Sequence, residues 1–534
     1  MNVVSRRKFL YQSSAFFTGI LGGCCSVSKG IIQSAPLSST TSLFDSSGNQ
    51  VKDARVPVID AHAHFFNASD INAIGYLSGP IMTDLPLDPN LREILRILVR
   101  VLEGVGRTFP PSAIEEWEWL NSVESKMKKT GVSDGSSGQN ILREEFSKRD
   151  DLIVEMLAKR LSNTDFLERY YAQVNSLLIA PLDVTEKVSI EELIRRDISY
   201  EPGVHALGYE RALGQAAFKE KHPSGLLGFL ASMFRYRLQN VYQHWVGYSR
   251  DSKETKTVHA CGAMVDFDRW LDGCDEPYSP IENQILLFER IAKISGGYLV
   301  PLVSFNPWTA LKKGEQYKSV IADAIRGRGF RGAKIYPQIG YAPGGNGNNQ
   351  YSGGRGTPDP VKIQEQLNWL YRLCLKYDVP IMAHADNSKG KIPQYSNLGS
   401  PEDWTKVAEQ SEFKYLKVNA GHFGHQGSGW NSGFKFLMRN HINFHADTGF
   451  WDELMEAEPS SLERVTSILN DERISSKLMH GSDWFMLTSK RTDWYEYNDK
   501  IYGVMKSLIN EGSLSAQGVR DYFYGNAASL FKLA

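Results

Sequence analysis

From about Lys256 to its end, this 534-residue chain alternates short apolar runs with helical stretches, and that alternation leaves few folds open. The runs are Ala260 to Phe267, Tyr298 to Phe305, Gly332 to Tyr336, Val379 to Ala383, Leu416 to Ala420, Ile442 to His445 and Lys477 to His480. Val56 to Ala61, far upstream, adds an eighth strand candidate. Strands that alternate with helices predict parallel βαβ units, and eight such units predict an α/β fold of the (β/α)8 TIM-barrel kind. An open doubly wound sheet is the other arrangement that such units allow.

The first strand is separated from the second by residues 66–255, which read as a helical insertion or lid over one end of the barrel. Leu91, Ile94, Leu95, Leu98 and Leu102 recur at helical spacing behind Asn90 as a cap, and Leu152 to Leu157 and Phe229 to Trp245 are similarly dense in apolar residues. Gly131 to Gly138 is polar and rich in glycine and serine, which predicts a loop. Barrel strand one then occupies 56–65 and the remainder of the barrel 256–534.

Upstream of the barrel, Ser5-Arg6-Arg7-Lys8-Phe9-Leu10 resembles a twin-arginine export signal, and the apolar stretch from Ala15 to Gly23 is far too short to span a bilayer. Leu21-Gly22-Gly23-Cys24 resembles a lipoprotein cleavage box in which Cys24 receives the lipid. The expectation is a signal peptide over 1–25, a flexible tether over 26–55, and an exported protein, periplasmic or held to the membrane by lipid. The 60 basic and 61 acidic residues nearly cancel, so no polyanionic partner such as nucleic acid is expected. The expected partners are a small-molecule substrate, the twin-arginine machinery and the lipid anchor, and the chain is open to forming a homo-oligomer. Cys261, Cys274 and Cys374, the cysteines outside the leader, form no Cys-x-x-Cys pair and read as packing residues.

The chemistry starts at Val58-Ile59-Asp60-Ala61-His62-Ala63-His64. Alternate residues of a strand share a face, so His62 and His64 can grip one cation together. In a barrel of this kind the reacting groups stand at the C-terminal ends of the strands. Strand five ends in His384, strand six in His422, and strand eight runs into Gly481-Ser482-Asp483. A lone histidine at a strand end is more often a core or loop residue; four such strand ends along one chain are a different matter.

Together with Gly332-Ala333-Lys334-Ile335-Tyr336-Pro337 and the closing Gly525-Asn526-Ala527-Ala528-Ser529-Leu530-Phe531, these segments resemble the amidohydrolase superfamily. The resemblance is to the amidohydrolase-related branch that includes aminocarboxymuconate semialdehyde decarboxylase. It implies one divalent metal ion, zinc above others, bound by His62, His64, His384 and Asp483, with His422 beside it as acid, base or carbonyl polariser. Asp483 is the implied proton acceptor. Strand eight departs from the pattern by continuing Trp484-Phe485, where proline is often found. Lys334 is expected to contact substrate or hold a carboxylate; in other branches the lysine after strand four is carboxylated and bridges two metals.

The activity implied is hydrolysis of a C–N or C–O bond, in an amide, lactone or ester. A decarboxylase on the same fold and a non-catalytic lipid-tethered binding protein are the alternatives. His445 and Asp447 end strand seven and read as structural as readily as functional, and His425, His441 and His480 read as loop or packing residues.

Overall fold

The computed structural model describes residues 53–81, 89–103, 105–106, 108–129, 135–162, 189–198, 225–268, 277–348, 359–387, 395–425 and 429–533. The expected signal peptide, the lipidation box at Cys24, nearly all of the tether and Cys274 lie outside them. No described helix is long and apolar enough to cross a membrane.

Eight strands stand in chain order in one sheet, each parallel to the next: β1 (Val56–Ala63), β2 (Thr255–Ala263), β3 (Leu299–Ser304), β4 (Ala333–Ile335), β5 (Ile381–His384), β6 (Val418–Gly421), β7 (Phe444–Asp447) and β8 (Leu478–Met479). The sheet curls until its first and last strands meet. Ala61 N donates to His480 O at 3.0 Å, Asp483 N donates to His62 O at 2.7 Å, and Ala63 bridges Trp484. The fold is therefore the (β/α)8 barrel that the alternation predicts, and the open sheet is excluded by this seam. Within it, His384 lies opposite Gly421 and Asp447 opposite Met479, so the ends of the later strands stand level along one rim.

β3, β4, β5, β6 and β8 are buried along their whole length, as parallel strands covered by helices must be. Ile59, Ala61, Val300, Leu302, Met382 and Met479 form a small cluster that includes Ala527, Leu530 and Phe531 of the last helix, Asn526–Phe531. That helix plugs the end of the barrel where the strands begin: Asn526 Nδ2 donates to Ser475 O and Leu478 O, at 2.9 and 2.8 Å.

Between β1 and β2 the described elements are helical, including Pro89–Leu102, Ala113–Lys129, Gly135–Leu161, Gly225–Phe234 and Arg237–Trp245. Three local expectations change. The helix carrying Leu95 and Leu98 starts at Pro89, which suits the first helical position, so Asn90 lies inside it and is not its cap. Gly135 to Gly138 belongs to a helix, because 27 continuous residues of it outweigh the weak propensity of its opening turn. The dense stretch from Phe229 to Trp245 is two helices, broken where Tyr236 turns extended (φ −64°, ψ 145°).

The helical segment is held together by a buried ion cluster that joins the chain just past β1 to two of its helices. Arg237 donates from Nη2 to Asp70 Oδ1 at 2.5 Å and from Nη1 to Glu116 Oε2 at 2.9 Å, and all three side chains are sealed from solvent. Removing one member of a buried pair leaves the rest charged and unsolvated. We predict that Arg237→Ala costs roughly 3–5 kcal/mol of stability, read from chemical denaturation; a loss within about 0.5 kcal/mol, the level of an ordinary surface change, would show that the clamp contributes nothing.

Candidate metal centre

The rim where the strands end gathers histidines and carboxylates in one buried place. His62 Nε2 stands 3.6 Å, and His64 Nε2 3.3 Å, from Asp483 Oδ1. His62, His422 and Asp483 offer ligand atoms that all lie within 4.8 Å of one another. His384 Nδ1 is 3.1 Å from His422 Nε2, and Lys334 Nζ is 3.3 Å from His62 Nε2. All six residues singled out in the sequence thus meet, with one difference: the tight trio contains His422, which the sequence pattern places beside the metal, and His384 sits behind it.

The outer partners of the imidazoles fix which nitrogen faces inward. Nδ1 of His62 pairs with Asp447 Oδ1 at 3.0 Å, Nδ1 of His64 with Ala263 O at 2.9 Å, and Nδ1 of His422 with Gly449 O at 2.9 Å. A carbonyl or carboxylate oxygen only accepts, so each Nδ1 carries a proton and each ring turns its Nε2 into the site. Burial above all, with the nearby charges of Lys334 and His422, pushes His62 down to about 4 against the pull of Asp447, which keeps its ring neutral. Asp483 Oδ1, facing these nitrogens, is buried and accepts no hydrogen bond. The His62 lone pair and Asp483 Oδ1 converge beside the Lys334 ammonium, and a buried set of imidazole nitrogens with one carboxylate is the donor set that a divalent cation takes. The donor set therefore fits a divalent metal.

Asp447 is the outer residue that the sequence left undecided. Its carboxylate accepts from His62 Nδ1, Asn419 Nδ2 (2.8 Å), the His422 backbone N–H (3.1 Å) and the Gly449 N–H (2.9 Å). Burial would raise its pKa, but His62, then His422 and the Gly449 N–H, outweigh it and hold the group well below the usual carboxylate range. Glycine is required around the same ring: a Cβ on Gly421, Gly449 or Gly481 would come within 2.8 to 2.9 Å of His62. The ends of β6, β7 and β8 can close on the imidazole only because all three positions lack a side chain.

Two of the trio stand on strained backbone. His422 has φ +67° and Asp483 φ +56°, a region that costs a residue with a Cβ roughly 1–2 kcal/mol. Such strain persists where surrounding contacts over-determine it, and here both side chains are aimed into one site. Trp451 helps hold His422 by donating from Nε1 to its carbonyl at 2.9 Å.

Lys334 is fully buried, and burial lowers its pKa to about 8 against the pull of Asp447 and Asp483. It therefore keeps its proton at neutral pH, and the site already draws one positive charge to His62. Tyr336 stacks on His384, ring centroids 4.1 Å apart and planes 19° from parallel. Trp484 and Phe485 are buried among Phe65, Phe66, Phe229 and His244, so they serve the core.

His244, on the helix Arg237–Trp245, is the residue that sequence reasoning missed outright. It reaches into the barrel, where Nε2 pairs with Asp60 Oδ2 at 2.9 Å and Nδ1 with the Tyr298 hydroxyl at 2.7 Å. Asp60 in turn accepts from the His62 and Ser482 backbone N–H groups, at 3.1 and 3.0 Å, and from the Ser482 hydroxyl. Its helix lies in the segment between β1 and β2, outside the motifs that mark the strand ends, so no motif marks it.

Residues 303–533 match the amidohydrolase family. No curated protein matches the chain. Among solved structures, a proposed metal-dependent hydrolase from Lactobacillus casei is 12% identical, covering 90% of this chain and 96% of its own, with a TM-score of 0.41. A probable 2-pyrone-4,6-dicarboxylic acid hydrolase from Acinetobacter baumannii is 15% identical over 52% of this chain and 84% of its own, TM-score 0.31. The 5-carboxyvanillate decarboxylase of Novosphingobium aromaticivorans, complexed with manganese, is 13% identical over 52% and 77%, TM-score 0.33.

Partners of metal-binding histidines typically alter affinity 10–100-fold when lost. Asp447→Ala should therefore weaken metal binding by about that factor, measured by competition with a chelator. Unchanged affinity would mean that Asp447 serves the fold alone.

Proposed function

From the premise that residues 303–533 form an amidohydrolase domain, we propose that this chain is a metal-dependent hydrolase cleaving a C–N or C–O bond, in an amide, lactone or ester, of a small organic substrate. The observation that carries the reading is the inward convergence of imidazole Nε2 atoms on the partnerless Asp483 Oδ1. His62, His64, His384 and Asp483 would hold one ion, and a nitrogen-rich set with one carboxylate suits zinc. When bound, such an ion supplies Lewis acidity that brings the pKa of water from 15.7 to about 7.

The chain's own groups do the rest. Asp483 Oδ1 takes the proton of the attacking water and later returns it to the leaving group. His422, its Nδ1 committed to Gly449 O, presents Nε2 beside the reacting carbonyl, where it polarises the carbonyl or exchanges a proton with it. The Lys334 ammonium adds a buried positive charge at the same place and is offered to substrate.

Two experiments test this. Metal analysis should show loss of the ion in His384→Ala and its retention in His422→Ala; the reverse pattern would exchange their roles, and retention in both would remove the assignment. Asp483→Asn should lower turnover by roughly 10²–10⁴, the usual worth of a positioned acid–base group, in a panel of esters, lactones and amides. Carbon dioxide release from a carboxylated substrate without hydrolytic product would move the reading to a decarboxylase. A protein that holds metal and turns over nothing in either assay would be the binding protein.

Export is proposed on sequence alone, from Arg6-Arg7 and the box ending at Cys24. Replacing both arginines by lysine should retain the protein in the cytoplasm, and Cys24→Ser should move it from the membrane to the soluble exported fraction.

A further inference from the structure

At the opposite end of the barrel from the candidate metal centre lies a cavity of about 630 Å3, lined where β6, β7 and β8 begin. Lys417 precedes β6, His445 is the second residue of β7 and Lys477 precedes β8; Arg439 comes from the helix Asn431–Asn440 and Arg473 from the loop ahead of β8. The lining holds these four cationic side chains and, among the described residues, no carboxylate. None of its residues belongs to the metal centre.

The charges around it are only partly compensated. Lys417 and Lys532 share Asp378, each at 2.7 Å. Arg439 and Arg473 share Asp471, at 2.6 and 3.5 Å. Lys477 Nζ is satisfied by neutral groups, the carbonyls of Met438 (2.5 Å) and His441 (2.9 Å). Among the described residues, five cations thus face two carboxylates, and Glu409, whose charge acts on His441 beside the lining residue Ile442, still leaves the balance positive. The ring of His445 lines the cavity, and its Nδ1 is buried without a hydrogen-bond partner. Burial, with the charges of Lys477 and Lys417, pushes this imidazole down to about 3, so it is neutral and keeps one N–H to give.

A concave site of one sign concentrates the opposite charge. Here the cations approach from four separate segments, which favours an anion with several oxygens over a monatomic one, and guanidinium forks match phosphate and carboxylate oxygens. The cavity is larger than a bare oxyanion needs and lies in the usual range for a small-molecule site. We propose that it binds a small molecule bearing a multivalent oxyanion, phosphate or polycarboxylate, at a site separate from the metal centre.

The test titrates inorganic phosphate into the full chain carrying His62→Ala, so that the metal centre contributes no anion binding, with chloride at matched ionic strength as control. A second arm replaces phosphate by a tricarboxylate. Saturable 1:1 binding of phosphate alone points to a phosphorylated ligand, of the tricarboxylate alone to a polycarboxylate, and of both to oxyanions in general. Adding Arg473→Ala or Lys417→Met should weaken binding tenfold or more while thermal unfolding confirms the fold. In the wild-type protein, labelled with 15N-histidine, phosphate should shift the His445 resonance. Binding no stronger than chloride, or affinity unmoved by either substitution, overturns the proposal. Neither result depends on whether the metal centre is hydrolytic.

Discussion

One buried carboxylate holds this molecule's three working parts together. Asp60 accepts from the backbone of His62 on β1, from the backbone and hydroxyl of Ser482 beyond β8, and from His244 on the helical segment. Burial would drive its pKa up, but His244 first, then His480 and Ser482, outweigh that cost and keep it ionised. A charge in that position is stable only while all of these donors stay in place. The contacts that keep Asp60 charged are therefore the ones that close the barrel and aim His62 and Asp483 at each other.

Around that anchor the centre is built in layers. The inner groups, His62, His64, His422 and Asp483, point acceptors at a common spot, and the outer groups, Asp447, Ala263 O and Gly449 O, absorb the protons that would otherwise face inward. The outer layer costs backbone strain at His422 and Asp483 and requires glycine at positions 421, 449 and 481. A fold selected for stability alone would give up such features; a centre that must present bare lone pairs requires them.

How much of this could be read in the chain differs residue by residue. His62 and His64 announce themselves because a two-residue period on a strand is a local geometric fact, and His384, His422 and Asp483 because each closes an apolar run. Asp447 also closes a strand, yet nothing local distinguishes it from a structural residue; four donors from β1, β6 and the turns after β6 and β7 make the difference. His244 is 184 residues from the carboxylate it holds, inside a segment with no pattern to match. The cationic cavity was equally hidden, because its lysines and arginines are scattered among neutral surroundings along the chain and converge only where β6, β7 and β8 begin.

The sequence by itself determined the eight-stranded barrel, the helical character of what separates β1 from β2, and the residues that meet at the rim. These follow from periodicity and from strand ends, which are properties of short segments. Tertiary structure alone decided that His422 joins His62 and Asp483 in the tight trio, that Asp60 takes its donors from three distant segments, and which nitrogen of each imidazole faces inward. Those outcomes depend on the register in which remote strands meet, and register is an energy of the closed barrel, not of any stretch of chain.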